Sequence, residues 1–154
     1  MVSKNEQIPL KRISAGDAAV DGLFAGLMSG LVMAGVMMLL GLLRGELPTT
    51  LLARFSTEAN SSPIMGLLRH LAVSGTYGLL FGLLSRIELV KRLAQRIGPV
   101  VGMLYGALLF AMAELVILPG TDSLLLGLPP LEFATAHLVY GLVLAAFYQK
   151  ISAV

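Results

Sequence analysis

Residues 22–43 read GLFAGLMSGLVMAGVMMLLGLL, a run of 22 residues without a single ionisable side chain. A helix of this length is about 33 Å long, which is enough to cross the roughly 30 Å hydrocarbon core of a bilayer. The apolar part of a signal peptide is shorter, about 7 to 15 residues, and it ends at a small-residue cleavage site. This run ends instead in Leu42, Leu43 and Arg44. It therefore predicts a membrane-spanning helix that is retained in the protein.

Three further apolar segments follow this first one along the chain. Together they predict helices over about 18–43, 63–85, 97–118 and 131–148, after a polar tail at 1–17. The stretch 44–62 is interpreted as a polar connection, and 86–96 as a short basic loop. The sequence thus predicts a single transmembrane domain over 1–154, with an all-α fold: an integral membrane four-helix bundle.

The overall composition agrees with this prediction. Apolar residues make up 56% of the chain and charged residues 13%, and the mean hydropathy is +0.86. Soluble domains are about 45 to 50% apolar and about 25% charged, so too little polar surface is available here to cover a water-soluble core. A soluble globular enzyme is excluded. The absence of cysteine also removes disulfides, thiolate metal sites and cysteine nucleophiles.

The positive charges predict how the bundle is oriented. Lysine and arginine near membrane segments stay on the cytoplasmic side, and here they flank apolar runs, which favours anionic lipid headgroups over nucleic acid as their partner. Eight of them fall on one predicted side and three on or near the other, which predicts cytoplasmic N- and C-termini. The eight are Lys4, Lys11, Arg12, Arg86, Lys91, Arg92, Arg96 and Lys150, and the three are Arg44, Arg54 and Arg69.

Small residues four positions apart recur in all four segments. In lipid, where helices gain little from hydrophobic burial, such spacing lets two backbones approach closely. We therefore expect the glycines to pack the helices together. The predicted packing positions are Gly22, Gly26 and Gly30 in the first helix, Gly78 and Gly82 in the second, Gly98, Gly102 and Gly106 in the third, and Gly141 in the fourth.

A repeat relates the two halves of the chain. Gly22, Gly26 and Gly30 match Gly98, Gly102 and Gly106 in spacing, and YGL occurs at both 77–79 and 140–142. This pattern is typical of two duplicated helical hairpins, although a chain rich in glycine, leucine and alanine also produces such matches by composition alone.

The segments GLFAGL at 22–27, YGLLFG at 77–82 and HLVYGL at 137–142 carry a resemblance to a known group. In them the chain resembles small four-helix bacterial inner-membrane proteins of unknown function. The resemblance implies the same fold and a location in the inner (plasma) membrane. It implies no catalytic residues.

Four ionisable residues lie inside the predicted spans, where each is costly and is therefore a functional hypothesis. They are Arg69, His70, Glu114 and His137, all about 8 to 11 Å from the same end of the bundle. The simplest interpretation is a buried polar cluster in which Glu114 pairs with Arg69 and each histidine bonds a neighbouring backbone or hydroxyl group. The alternatives are a proton or ion relay through Glu114 and the histidines, or a haem or pigment held by His70 or His137. A metal site is not predicted, because no closely spaced pair of ligands is present.

These observations predict a non-catalytic integral membrane protein, an accessory or structural subunit that packs against other membrane-protein subunits or a second copy. Gly35 and Gly41 are the candidate partner contacts, because they extend the small positions of the first helix beyond one face. No cofactor is predicted on this interpretation. The alternatives are a small transporter or proton-handling protein that uses Glu114 with Arg69, His70 and His137, and a haem- or pigment-binding bundle.

Overall fold

The computed structural model describes residues 14–56, 62–121 and 123–152. Most of the predicted polar tail, with Lys4, Lys11 and Arg12, lies outside the described residues. Within them the chain forms five α-helices and no strand: α1 (Ala15–Leu43), α2 (Pro48–Ala53), α3 (Pro63–Leu84), α4 (Glu88–Met112) and α5 (Pro130–Ser152). A π-helical turn, Ala113–Ile117, continues α4, and short 3-10 turns follow at Leu118–Gly120 and Leu124–Gly127.

Four of these helices are long and apolar enough to cross a membrane, which is the signature of a multi-pass membrane protein. The prediction of an all-α four-helix bundle is confirmed. Local chemistry sets several helix ends. Ser14 and Asp17 form a reciprocal capping box at the start of α1, and α3 and α5 each begin with a proline, whose missing N–H costs nothing in the first turn.

The start of the third spanning helix differs from the prediction. The stretch 86–96 was expected to be a loop, but α4 begins at Glu88, and its backbone leaves the helical region at Ile97 (φ −136°, ψ 41°). Pro99 explains the interruption, since proline offers no N–H and its ring collides with the carbonyl four residues earlier. A basic, amphipathic helical segment over 88–96 therefore precedes the apolar part of α4.

The short helix α2 was also missed, because six residues between polar flanks give no helical period to detect. It folds back onto the bundle rather than forming part of an open connection. Leu51 is only 1% exposed, and its Cδ1 lies 3.3 Å from the position of a Cβ at Gly41. The α2 backbone also meets α3, where the carbonyl of Leu52 leaves no room for a side chain at Gly66. We call this end of the molecule the α2 end, and the opposite one, with the basic 88–96 segment, the basic end.

Glycines form the seam between α1 and α3. A Cβ at Gly26 would lie 2.5 Å from the carbonyl oxygen of Ser74 and 2.7 Å from the Cα of Gly78. Gly22 meets the backbone of Gly78 and Gly82 in the same way, and Gly30 meets the side chain of Ser74. The two backbones touch, so no larger residue fits at these positions without separating the helices.

The seam between α4 and α5 repeats this packing. Gly102 faces the carbonyl of Gly141 as Gly22 faces that of Gly78, and Gly106 faces the carbonyl of His137 as Gly26 faces that of Ser74. The register is one helical turn away from the one read from the sequence, because Gly22 corresponds to Gly102 and not to Gly98. Gly98 lies instead against the side chain of Gln149. The structural repeat is clear, while its origin by duplication stays a prediction.

The helices are not packed equally on all sides. Close packing joins α1 to α3, α1 to α5 and α4 to α5, whereas α3 and α4 approach each other much less closely. At the looser α3–α4 boundary the Tyr105 hydroxyl donates a 2.7 Å hydrogen bond to the carbonyl of Tyr77. Toward the α2 end, beyond this hydrogen bond, the space between the helices opens into a cavity.

Candidate binding cavity

A cavity of about 270 Å³ lies in the half of the bundle nearest the α2 end. All four long helices contribute to its lining, together with Phe55 just after α2 and Leu125 in the 3-10 turn before α5. Most of the lining is apolar. Its polar members are Arg69, His70, Ser74, Tyr77, His137 and Tyr140.

His70 is fixed on the α3 side of the cavity by two contacts. Its Nε2 lies 2.9 Å from the carbonyl oxygen of Gly30 on α1, and its ring packs against Phe55 at a centroid distance of 4.8 Å. A carbonyl oxygen can only accept a hydrogen bond, so in the neutral imidazole Nε2 carries the proton. The other nitrogen, Nδ1, is then an acceptor.

His137 is held from α5 in the opposite tautomer. Its Nδ1 lies 2.8 Å from the carbonyl oxygen of Phe133 in the preceding turn of the same helix, so Nδ1 carries the proton and Nε2 is the acceptor. The rings of Phe133 and Phe110 pack edge-on against the imidazole, at centroid distances of 4.4 Å and 5.9 Å. Both histidines thus bond backbone carbonyls, the arrangement expected for the simplest interpretation of the sequence.

Among the described residues, the second nitrogen of each histidine, Nδ1 of His70 and Nε2 of His137, has no hydrogen-bond partner. Both histidines line the same cavity. The cavity therefore offers two hydrogen-bond acceptors to whatever occupies it.

The predicted four-residue polar cluster is only partly assembled. Arg69 lines the cavity with the two histidines, but its side chain is exposed and not buried. Glu114 is half-buried and does not line the cavity, and the predicted ion pair between Arg69 and Glu114 is wrong, since the described ion pairs join other residues. Ala113 and Ile117, in the π-helical turn, line the cavity. Glu114, the residue after Ala113, does not.

A charged network that the sequence did not predict closes the bundle at the α2 end. Glu46 receives hydrogen bonds from Arg44 at 3.2 Å and Arg54 at 2.7 Å, and Arg44 also pairs with Glu132 at 3.0 Å. Arg54 further donates to the carbonyl of Leu124. The network connects the end of α1, the residue after α2 and the first turn of α5. The sequence shows each of these charged residues, but it does not show which of them pair, because the pairs form only when α2 folds back onto the bundle.

The described residues contain no group of three or more histidine, cysteine, aspartate or glutamate side chains that could hold a metal ion. Comparisons with family models, with characterised proteins and with solved structures gave no match to this chain. The resemblance to four-helix bacterial inner-membrane proteins stays a prediction, and functional arguments rest on the cavity itself.

Proposed function

We propose that this chain is a non-catalytic integral membrane protein that holds a small, mainly apolar molecule in its cavity. The observation that carries the proposal is that His70 and His137, each with one imidazole nitrogen unpartnered among the described residues, line the same mainly apolar cavity. Ligand sites are typically apolar clefts of about 300 to 1,000 Å³ with a few well-placed polar groups, and this cavity, at about 270 Å³, is just below that range.

The two alternatives that use the same residues gain less support. Proton or ion handling was expected to depend on Glu114, which does not line the cavity. A haem or pigment could take Nε2 of His137 as an axial ligand, because Nδ1 is already oriented by Phe133. A cavity of about 270 Å³ is small for a macrocycle, so we favour a smaller ligand.

The role of accessory subunit is our second candidate, and Gly35 is the observation in its favour. A Cβ at Gly35 would meet nothing within 4 Å, and Leu31, Val32 and Leu39 beside it are exposed. A glycine on the lipid face allows a helix of another protein to approach closely. Gly41, in contrast, packs beneath Leu51 of the same chain and is withdrawn as a partner contact.

We further propose that the protein lies in the plasma membrane with both termini in the cytoplasm. Arg86, Lys91, Arg92 and Arg96, between the apolar parts of α3 and α4, support this orientation. The α2 end, with the cavity, then faces the outer side of the membrane.

Ligand binding is tested by filling the cavity. Ala113 lines it and is half-buried, whereas Ala146 is exposed on α5 and lines nothing. In mild detergent, binding of a neutral naphthalene fluorophore to Ala113→Phe should be at least about tenfold weaker than to wild type, with Ala146→Phe unchanged. Native mass spectrometry of wild type should also find a bound small molecule. If Ala113→Phe and Ala146→Phe bind the fluorophore equally well, and mass spectrometry of wild type finds no bound molecule, the proposal is overturned.

The same preparation distinguishes the alternatives. A Soret band in the absorbance spectrum that disappears in His137→Leu would establish the haem hypothesis. A stoichiometric membrane-protein partner that is lost in Gly35→Leu would establish the accessory subunit, and can be measured by native co-purification.

A further inference from the structure

The opening of the cavity is marked by the exposure of its lining residues. Seven of the fifteen lining residues are buried, for example Met33, Leu109 and Tyr140 at 5%, 5% and 2% exposure. Val73 on α3 and Ile117 after α4 are 53% and 44% exposed, and Arg69 on α3 is exposed as well. We call these three residues the mouth. It lies between α3 and α4, the pair of neighbouring helices that pack least closely.

Among the described residues, the other sides of the cavity are more closely packed. The glycine seams join α1 to α3 and α4 to α5 backbone to backbone. At the α2 end, Phe55 packs against His70 and Leu118 is only 4% exposed. A molecule that reaches the cavity therefore passes between α3 and α4.

The mouth runs from the α2 end toward the middle of the bilayer, because Ile117 lies only three residues before Gly120, the end of its spanning segment, and Arg69 lies six residues after Pro63. Val73 is ten residues along α3 from Pro63, which corresponds to about 15 Å of helix. In a hydrocarbon core of roughly 30 Å this is near the middle of a spanning helix. The Val73 side of the mouth thus faces lipid, and a ligand that enters there must be soluble in lipid.

The tautomers of the two histidines define what a ligand must carry to bond them. Both hold their N–H on a backbone carbonyl, so the nitrogens left for the ligand, Nδ1 of His70 and Nε2 of His137, accept hydrogen bonds. An ether, ester or ketone oxygen only accepts, so it finds no donor on these rings and would have to use Arg69, Ser74 or Tyr77, which also line the cavity. A hydroxyl group donates to the histidine nitrogens.

We propose that the cavity takes up a hydroxyl-bearing, lipid-soluble amphiphile directly from the adjoining leaflet, through the mouth between α3 and α4. The hydroxyl donates to Nε2 of His137, the adjoining apolar part lies against Met33, Leu109 and Phe133, and any longer chain leaves at Val73 and Ile117. This proposal rests on the proposed function, because it specifies the ligand and the route for the same cavity.

The head group is tested by competition in vesicles of a zwitterionic phospholipid that hold the full-length protein and the naphthalene fluorophore. The competitors are a twelve-carbon alcohol, its methyl ether and the corresponding carboxylate. The alcohol should displace the fluorophore at about 3- to 10-fold lower concentration than the ether, as one net hydrogen bond allows. In His137→Phe, which keeps an aromatic ring, the fluorophore should still bind and the preference for the alcohol should fall.

The route is tested by the rate of binding. Val73→Trp narrows the mouth, and Leu68→Trp places the same side chain at another exposed position of α3, 56% exposed and away from the cavity. Val73→Trp should slow fluorophore association at least about fivefold relative to Leu68→Trp. Equal rates in the two variants would overturn the lateral route.

The outcomes separate this proposal from the proposed function. Equal displacement by alcohol and ether, or a preference that survives in His137→Phe, overturns the hydroxyl ligand while cavity binding stands. The hydroxyl ligand is also overturned if the carboxylate displaces the fluorophore most strongly and this effect is lost in Arg69→Gln. That result would assign an anionic head group to the mouth. If no competitor displaces the fluorophore and Ala113→Phe binds it like wild type, the proposed function itself fails.

Discussion

The hydroxyl of Tyr140 donates a 2.6 Å hydrogen bond to the carbonyl oxygen of Ser74, and so connects α5 to α3. Two other tyrosines do the same from their own helices: Tyr105 donates to the carbonyl of Tyr77, and Tyr148 to that of Gly82. All three acceptors lie on α3. The tyrosines therefore connect the second hairpin to the first, while the glycines pack each hairpin internally.

Tyr140→Phe should lower the free energy of unfolding by about 0.5 to 2 kcal/mol, because a hydrogen bond between helices is lost while the ring remains. Tyr140 is 2% exposed, and little repacking is needed. Tyr148→Phe is the matched variant and should cost less, since its bond is longer, at 3.3 Å, and partly exposed. Thermal unfolding in detergent measures both. Equal stability of Tyr140→Phe and wild type would show that this bond contributes nothing net.

Gly78→Leu should destabilise the bundle by more than the about 1 to 3 kcal/mol typical of overpacking. Gly78 touches the backbone of Gly22 and Gly26, which cannot move aside as a flexible side chain does. The control is Gly35→Leu, where the added atoms meet nothing within 4 Å and the isolated protein should unfold like wild type. By the structural repeat, Gly141→Leu should behave like Gly78→Leu. A stable Gly78→Leu would contradict the observed seam.

Glu46→Gln should destabilise the α2 end, because it leaves Arg44 and Arg54 without their shared partner. The Glu46 side chain is 12% exposed, so the loss should exceed the about 0 to 1 kcal/mol of a surface pair and stay below the about 3 to 5 of a fully buried one. The control is Glu88→Gln, whose pair with Arg92 is exposed on both sides and should have no measurable effect. If 0.5 M salt lowers wild-type stability and leaves Glu46→Gln unchanged, the network is electrostatic; a salt response shared by both proteins would contradict this.

The sequence was sufficient for the four long helices because each carries about 20 apolar residues, a signal that tertiary packing does not override. It also located the residues of the glycine seams, although not their register. Aligning Gly22 with Gly98 matches three glycines and aligning it with Gly102 matches only two, so spacing favoured the wrong register, and the contacts with Gly78 and Gly141 correct it.

The site was harder to predict, because the depth of a residue in the membrane does not determine the direction in which its side chain points. Arg69 and Glu114 share a depth, and pairing them was reasonable, but Arg69 lines the cavity while Glu114, in the π-helical turn Ala113–Ile117, does not. The cavity needed two facts that no spacing encodes: the tautomers set by Gly30 and Phe133, and the return of α2 that brings Phe55 onto His70.

The basic segment 88–96 should lie at the membrane surface with its leucines toward lipid. Leu89 and Leu93 are 67% and 41% exposed, and Lys91, Arg92 and Arg96 are exposed beside them, as in interfacial helices that bind anionic lipid. The chain has no tryptophan, so Leu93→Trp is a single reporter. Its fluorescence should be quenched most by lipids brominated near the headgroup, and that of Leu104→Trp by lipids brominated deeper. Equal quenching profiles would contradict the interfacial position.

The orientation of the bundle can be decided with single cysteines, since the chain has none of its own. Gln95 is exposed at the basic end and Thr49 at the α2 end. Because the charge of 86–96 should hold that segment in the cytoplasm, Gln95→Cys in intact cells should react only with a membrane-permeant maleimide. Thr49→Cys should be blocked by an impermeant one. The reverse pattern would invert the orientation and move the cavity to the cytoplasmic leaflet, whereas labelling of both from the same side would contradict the four-helix topology itself.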